Sequence, residues 1–209
     1  MLSKQTLDAR SFLRKELRDA RRKLTIAEHE EASRGVMEQL NALSLLNNAR
    51  TVAGYLVNDG EVNLKPYIDS QWETHPPKHF SLPVLHPICK GHLLFLSYSR
   101  HTKLVKNKYN IEEPALSCQS VIPTSQCDVI LMPLVGFDLN GNRLGMGGGY
   151  YDRTLAFTQT TTGFHNPLCP SKPKIVGIAH DVQEVHSLPV APWDVPLDAI
   201  VTPTRTLRF

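Results

Sequence analysis

The apolar positions change period several times along the chain, and each change marks an element. Leu13, Leu17, Ala20 and Leu24 recur at helical spacing and predict a helix over about 7–23. Thr25-Ile26-Ala27-Glu28 fits a capping box and opens a second helix to about Leu43. Val36, Met37 and Leu40 form its core face, and Asn47-Asn48 breaks it. The apolar run 51–57 predicts a first strand, ended by the turn Asn58-Asp59-Gly60-Glu61. A short helix over 63–74 follows, with Asn63 as its cap, and then strands over 79–84 and 93–98. Residues 100–127 are polar and loop-like, with one edge segment. A buried strand over 128–135 leads to a glycine-rich loop and a helix over 150–157. Residues 159–173, rich in Thr, Pro and Gly, read as a surface insertion. Strands over 174–179 and 199–202 close the pattern. Strands alternating with helices predict a single α/β domain with a mostly parallel sheet.

Composition narrows the classes. Hydrophobic content of 41% and charged content of 21% are those of an ordinary globular chain. A net charge of +3 does not call for nucleic acid, and aromatic residues are sparse near the arginine-rich first helix, which argues against an RNA-binding role. No apolar run reaches the length of a membrane span, and the N-terminus lacks an apolar signal core. Asp8, Glu16 and Asp19 set it apart from an organelle transit peptide. Cys89, Cys118, Cys127 and Cys169 show no C-x-x-C spacing and read as free thiols in a reducing cytoplasm. The expected state is a cytoplasmic monomer that binds small molecules, not nucleic acid or membrane.

The most specific stretch is 141–152, Gly-Asn-Arg-Leu-Gly-Met-Gly-Gly-Gly-Tyr-Tyr-Asp. It sits between a strand and a helix. Four glycines in five positions let the backbone approach a ligand with its N–H groups turned inward, and the following helix start favours an anion. Arg143 adds a forked cation, and Asp152 is a candidate oxygen ligand for Mg²⁺. The loop lacks the Lys-Ser or Lys-Thr of a P-loop, and it lies too late in the chain for a usual dinucleotide fingerprint.

Three segments are candidates to converge beyond the strands' carboxyl ends: the turn ending in Glu61, the glycine loop, and the stretch around Asp194. On the first helix Arg10, Arg14 and Arg18 lie along one face, with Arg21 and Arg22 behind. A charge run of this kind is ordinarily a solvated face; the alternative is a phosphate clamp. Glu61 is either turn chemistry or a ligand for an amide- or amine-bearing molecule. Asp194 and Asp198 either cap locally or complete a metal site with Asp152. His86, His180 and His186 lack metal-like spacing and read as loop or core residues.

Together these pieces resemble the 5-formyltetrahydrofolate cyclo-ligase family. The resemblance rests on Arg10-Ser11-Phe12-Leu13-Arg14, Asp59-Gly60-Glu61, the loop Asn142 to Asp152, and Asp194, in family order. It implies a three-layer αβα fold similar to the ribose-5-phosphate isomerase and CoA-transferase group. It implies closure of 5-formyltetrahydrofolate to 5,10-methenyltetrahydrofolate, driven by ATP with Mg²⁺, through phosphorylation of the formyl oxygen. By family position Arg10, Arg14, Arg143, Leu144, Gly145, Met146, Gly147, Gly148, Gly149, Tyr150 and Tyr151 would bind ATP, with the basic helix packed over that site. Leu56, Glu61, Met146, Gly147, Gly148, Gly149 and Tyr150 would contact the folate. Arg143 and Tyr151 would serve catalysis, and Asp152 and Asp194 would hold the metal. Arg10 stands where many relatives have Lys, and Met146 and Gly148 where some have basic residues. Charge at the γ-phosphate must then come from Arg143, the first helix, the metal and backbone N–H groups. The competing reading is a nucleotide- or phosphosugar-binding protein of the same fold without ligase activity.

Overall fold

The computed structural model describes residues 3–159 and 172–209. The chain opens with α1 (Lys4–Arg22), capped by Ser3, whose hydroxyl accepts from the Thr6 N–H at 3.1 Å. The helix starts earlier than the apolar period suggested, because its first turns carry no core residue. Next comes α2 (Ile26–Ala42), with the expected capping box between Thr25 and Glu28, and then the single turn α3 (Ser44–Asn47). The strand β1 spans only Thr51–Ala53. The apolar run beyond it leaves the sheet, yet Tyr55 is buried and its hydroxyl donates to the Val62 carbonyl at 2.7 Å. Those side chains are apolar for burial, not for strand pairing.

After α4 (Lys65–Trp72) come β2 (His79–Leu85) and β3 (Leu93–Tyr98). Asn63 stands at the start of α4, where its Oδ1 accepts from the Lys65 N–H at 2.9 Å. The polar stretch that follows holds more structure than its composition suggests. It folds into a hairpin, β4 (Leu104–Lys106) with β5 (Glu112–Pro114), and a short edge strand β6 (Val121–Ile122). Then come β7 (Val129–Pro133) and a second small hairpin, β8 (Gly136–Phe137) with β9 (Arg143–Leu144). The helix α5 is Tyr150–Leu155, continued by a 3₁₀ turn to Gln159. The chain closes with β10 (Lys174–Ile178), β11 (Ala199–Val201) and β12 (Thr206–Arg208). Most of the expected surface insertion over 159–173, with Cys169, lies outside the described residues.

One eight-stranded sheet runs in the order β12-β11-β10-β7-β1-β2-β3-β6. The pairs β11/β10, β10/β7, β7/β1 and β1/β2 are parallel, and the outer pairs are antiparallel. The sheet is therefore mostly parallel, as expected. Alternation along β7 shows the layers. Val129 and Leu131 face a cluster with Val36 and Leu40 of α2 and Tyr67 and Ile68 of α4. Ile130 and Met132 face the other side, with Leu155 of α5, Phe137 and Val195. Each such side chain, fully buried, stabilises the fold by about 1.5–3 kcal/mol.

The strand order reverses at β1. From there the chain runs outward through β2 and β3, then returns to β7 on β1's other flank. A crevice opens where two neighbouring parallel strands send their chains in opposite directions, so ligands gather at such points. The Asp59-Gly60-Glu61 turn follows β1, and the glycine loop follows β7. Both therefore stand at this switch point.

Candidate functional site

The first helix forms one wall. Arg21 is fully buried. Its Nε donates to the Asp59 carbonyl at 2.8 Å, its Nη1 to the Leu134 carbonyl at 3.0 Å, and its Nη2 to Asp59 Oδ2 at 2.7 Å. Arg18 binds the same carboxylate through Nε at 2.8 Å, and Arg22 adds a third ion pair. Burial works against charge on Asp59, but the hydrogen bonds from Arg18, Arg21 and Arg22 outweigh it. They hold its carboxyl well below the usual range. The arginine run is thus not a solvated face. It fastens α1 to the turn after β1.

The other end of α1 reaches the glycine loop and the last loop before β11. Arg10 forks onto Asp194, Nη1 to Oδ2 at 2.6 Å and Nη2 to Oδ1 at 3.0 Å, and Nη1 also donates to the Pro189 carbonyl at 2.7 Å. Asp194 Oδ2 accepts the Ala191 N–H as well, at 2.8 Å. Arg14 Nε donates to the Gly145 carbonyl at 2.8 Å. Gly147 lies against Arg14, whose guanidinium carbon would be 3.4 Å from a Cβ there, and its φ of +96° calls for glycine. Gly149, at φ +63°, turns the chain into α5.

Arg143 is 5% exposed and pairs with Asp152 on α5, while its Nε is buried without a hydrogen-bond partner among the described residues. Asp152 Oδ1 also accepts the Val195 N–H at 3.3 Å, which ties α5 to the loop carrying Asp194. The second oxygen of Asp152 takes no hydrogen bond from the described residues. Tyr151 lies between the two halves of the site and feels both the Glu61 and the Arg143 charges. Burial pushes its hydroxyl well above the usual tyrosine range.

Glu61 stands on the far side. Its side chain is 12% exposed, and Oε1 lies 3.8 Å from Arg21 Nη2. Oε2 accepts the Asn58 N–H at 3.2 Å. Burial pushes its carboxyl up to about 7, against the pull of Arg21 and the Asn58 N–H, with Asp59 adding to the rise.

The structure thus joins Arg10, Arg14, Arg143, Gly145, Tyr151, Asp152, Asp194 and Glu61 in one neighbourhood. Met146, Gly147 and Gly148 are exposed along the loop. Leu56 is half-buried beyond β1. Leu144 is different: its side chain is fully buried in β9, and its carbonyl accepts the Val135 N–H at 2.7 Å. It supports the loop from beneath. Asp198 is occupied locally, taking Lys174 Nζ at 2.7 Å and the Ile175 N–H at 2.8 Å. No group of three or more His, Cys, Asp or Glu among the described residues is arranged around an ion.

Three participants escaped the sequence reading. The sequence places Asp59 in a turn and in the family motif, but does not show that three arginines converge on it. Asp138 organises the hairpin that presents Arg143, accepting the Asn140 N–H at 2.9 Å, the Leu188 N–H at 3.0 Å and the Asn142 amide at 3.0 Å. Tyr109, from the β4–β5 hairpin, meets Tyr150 hydroxyl to hydroxyl at 2.8 Å, with the rings edge-on. Asn142, just ahead of β9, is the one local signal for Asp138; nothing local marks Tyr109.

The sequence profile of the 5-formyltetrahydrofolate cyclo-ligase family matches residues 6–203. The chain belongs to that family. It is an enzyme of that family. It is 42% identical over 193 residues to the 5-formyltetrahydrofolate cyclo-ligase of Escherichia coli (strain K12), covering 92% of this chain and 100% of the relative. The enzyme of the same description from Haemophilus influenzae is 40% identical over 188 residues, 90% of this chain and 94% of the relative. Among solved structures, the 5,10-methenyltetrahydrofolate synthetase of Aquifex aeolicus superposes with a TM-score of 0.75 at 30% identity, over 95% of this chain and 92% of that one. The Mycoplasma pneumoniae synthetase gives 0.67 at 25% identity, over 93% and 98%. The family match covers α1, the glycine loop and the Asp194 loop alike, so every part of the site falls within it. No helix among the described residues is long and apolar enough to cross a membrane.

Proposed function

We propose that the protein closes 5-formyltetrahydrofolate to 5,10-methenyltetrahydrofolate at the expense of ATP, at the crevice between the turn after β1 and the glycine loop. The observation that carries this reading is Arg14 on Gly145, with its guanidinium over Gly147. It brings the cations of α1 and the open backbone of the loop to one place, as a polyphosphate requires. The buried, unpartnered Nε of Arg143 is a donor still to be filled beside that loop.

The residues divide by charge. Arg10, Arg14, Arg143 and the loop 145–149 bind the triphosphate, and Tyr150 and Tyr151 border it. Glu61, Leu56 and the loop from Met146 to Tyr150 contact the reduced folate, with Tyr109 adding an aromatic wall beside Tyr150. Arg143 and Tyr151 stand between the two and align the formyl oxygen with the γ-phosphate. A formyl amide is a weak electrophile, and phosphorylating its oxygen gives it a good leaving group. Positioning and charge neutralisation supply most of the rate in such a transfer.

The donor set also fits Mg²⁺, by exchange. Asp152 and Asp194 carry arginines, and each arginine is a phosphate ligand in this reading. A phosphate taken by Arg10 and Arg143 releases the two carboxylates toward a cation. Asp152 and Asp194 would hold Mg²⁺, whose charge when bound offsets that of the phosphates. Asp152 is the readier of the two, because one of its oxygens takes no hydrogen bond from the described residues, whereas both oxygens of Asp194 are engaged. A cytoplasmic setting belongs to the same reading, supported by free thiols at Cys89, Cys118 and Cys127.

The deciding experiment is spectroscopic. Protein, ATP, Mg²⁺ and 5-formyltetrahydrofolate together should develop the near-ultraviolet band of the methenyl product. Omission of ATP should abolish it. A band that grows equally well without ATP overturns the coupling.

A further inference from the structure

Four carboxylates stand at the carboxyl ends of β1, β7 and β10: Asp59, Glu61, Asp152 and Asp194. Three are hydrogen-bonded directly to arginine. Asp59 takes Arg18, Arg21 and Arg22; Asp152 takes Arg143; Asp194 takes Arg10 twice. Glu61 differs. Its nearest cation, Arg21 Nη2, is 3.8 Å away and already donates to Asp59, and its one hydrogen bond comes from a backbone N–H. Of the four it alone takes no hydrogen bond from an arginine among the described residues, and its charge is felt at the Tyr151 hydroxyl.

The reaction of the previous subsection, on which this inference rests, has a proton to remove. The formyl oxygen bonds to the γ-phosphorus and the bond from that phosphorus to ADP breaks. The substrate's secondary amine then donates its lone pair to the former formyl carbon, forming the second C–N bond. The attacking nitrogen becomes an ammonium and must lose its proton before its lone pair can help expel phosphate. The C–O bond then breaks, and its electrons leave with phosphate. Without a base the intermediate collapses backward, because a protonated amine leaves as readily as phosphate does.

We infer that Glu61 is the general base that takes this amine proton and passes it to water after phosphate departs. The other groups around it are poorly suited. Tyr151 and Tyr55 are both held protonated by burial, and Glu61's charge adds to the effect on each. His180 is buried, with Nε2 at 3.1 Å from the Gly60 carbonyl and Nδ1 turned to its own 3₁₀ turn, so it supports the Glu61 turn from behind. Asp59 is fixed by three arginines. Arg21 faces Glu61 from α1, and Asn58 and Asp59 face it from its own loop. The balance of burial against Arg21 leaves Glu61 near 7, within the range where a base is both free and basic at neutral pH.

The test uses ATP labelled with ¹⁸O at the β,γ-bridge, read for scrambling of the label as well as for methenyl product. In the parent protein with 5-formyltetrahydrofolate both signals are expected, and kcat should fall on the acid side of about 7. Glu61→Gln keeps the shape and the hydrogen-bonding face but not the basicity. At saturating folate it should retain label scrambling, while kcat falls about 10²–10⁴-fold and the acid limb disappears. Glu61→Asp should keep an acid limb at reduced kcat. The inference is overturned if Glu61→Gln turns over within a few-fold of the parent. It is equally overturned if that variant loses scrambling even at saturating folate, because Glu61 is then needed before the ring closes. Absence of both scrambling and product in the parent protein is a separate result, which removes the ligase reading itself.

Discussion

Arg10 and Asp194, 184 residues apart in the chain, grip each other through two side-by-side hydrogen bonds of 2.6 and 3.0 Å. Their side chains are 9% and 11% exposed. Removing one partner leaves the other charge largely buried, at a cost of about 3–5 kcal/mol, whereas replacing both with apolar groups is often neutral. Arg10→Met should therefore lower the melting temperature by several degrees, and Arg10→Met with Asp194→Leu should recover most of it. The double variant should still use ATP poorly, because the phosphate ligand is gone. A double variant with normal ATP kinetics would make the pair purely structural.

Arg14→Ala removes a guanidinium that touches the glycine loop at Gly145. Charge-assisted hydrogen bonds are worth about 1.5–3 kcal/mol, so the apparent KM for ATP should rise at least about tenfold. The folate KM should change far less. Initial-rate measurements with each substrate varied in turn decide between this and a helix that only packs.

Asp152→Asn should shift the Mg²⁺ dependence to higher concentration, with activity partly restored by excess Mg²⁺. A neutral amide keeps the size of the side chain but loses the charge that a hard cation needs. Arg143 also loses its ion-pair partner, so the melting curve should be recorded alongside. Reduced kcat with an unmoved Mg²⁺ curve assigns Asp152 to holding Arg143 alone.

Asp59 makes stability fall in acid. Its carboxyl lies below the ordinary range in the folded protein, so the unfolded chain binds the extra proton first. The stabilisation is present above the ordinary aspartate value of about 3.9 and is lost as pH drops through the folded-state value. Glu61 acts in the opposite direction. Its raised value means that the folded form holds the proton, so its contribution declines as pH rises from the ordinary glutamate range of about 4.3 toward about 7. Urea titrations from pH 3 to 8 on the parent, Asp59→Asn and Glu61→Gln should show the acid loss shrink in the first variant. The decline toward neutrality should vanish in the second.

Local chemistry determined what the sequence alone disclosed. The capping box of Thr25 and Glu28 needs only four consecutive residues, and it formed as written. Apolar runs such as 129–133 announce a strand buried on both faces, and glycines with a following Tyr-Tyr-Asp announce a backbone-lined anion loop before a helix. Those needs are met within a few residues, so they are legible in order along the chain. The partners of charges are not. Arg18, Arg21 and Arg22 carry the spacing of a solvated face, yet they converge on Asp59, 37 to 41 residues away. Tyr109 lies in a polar stretch without period and meets Tyr150 only because a hairpin folds over the loop. The length of β1 was likewise hidden, since Tyr55 is as apolar in a loop as it would be in a strand. Hydrophobic pattern records whether a side chain is buried, but which buried charge faces which is set by the strand order at β1. That reversal brings the turn at 58–61, the loop at 145–149 and α1 to one crevice, and it is a property of the assembled sheet.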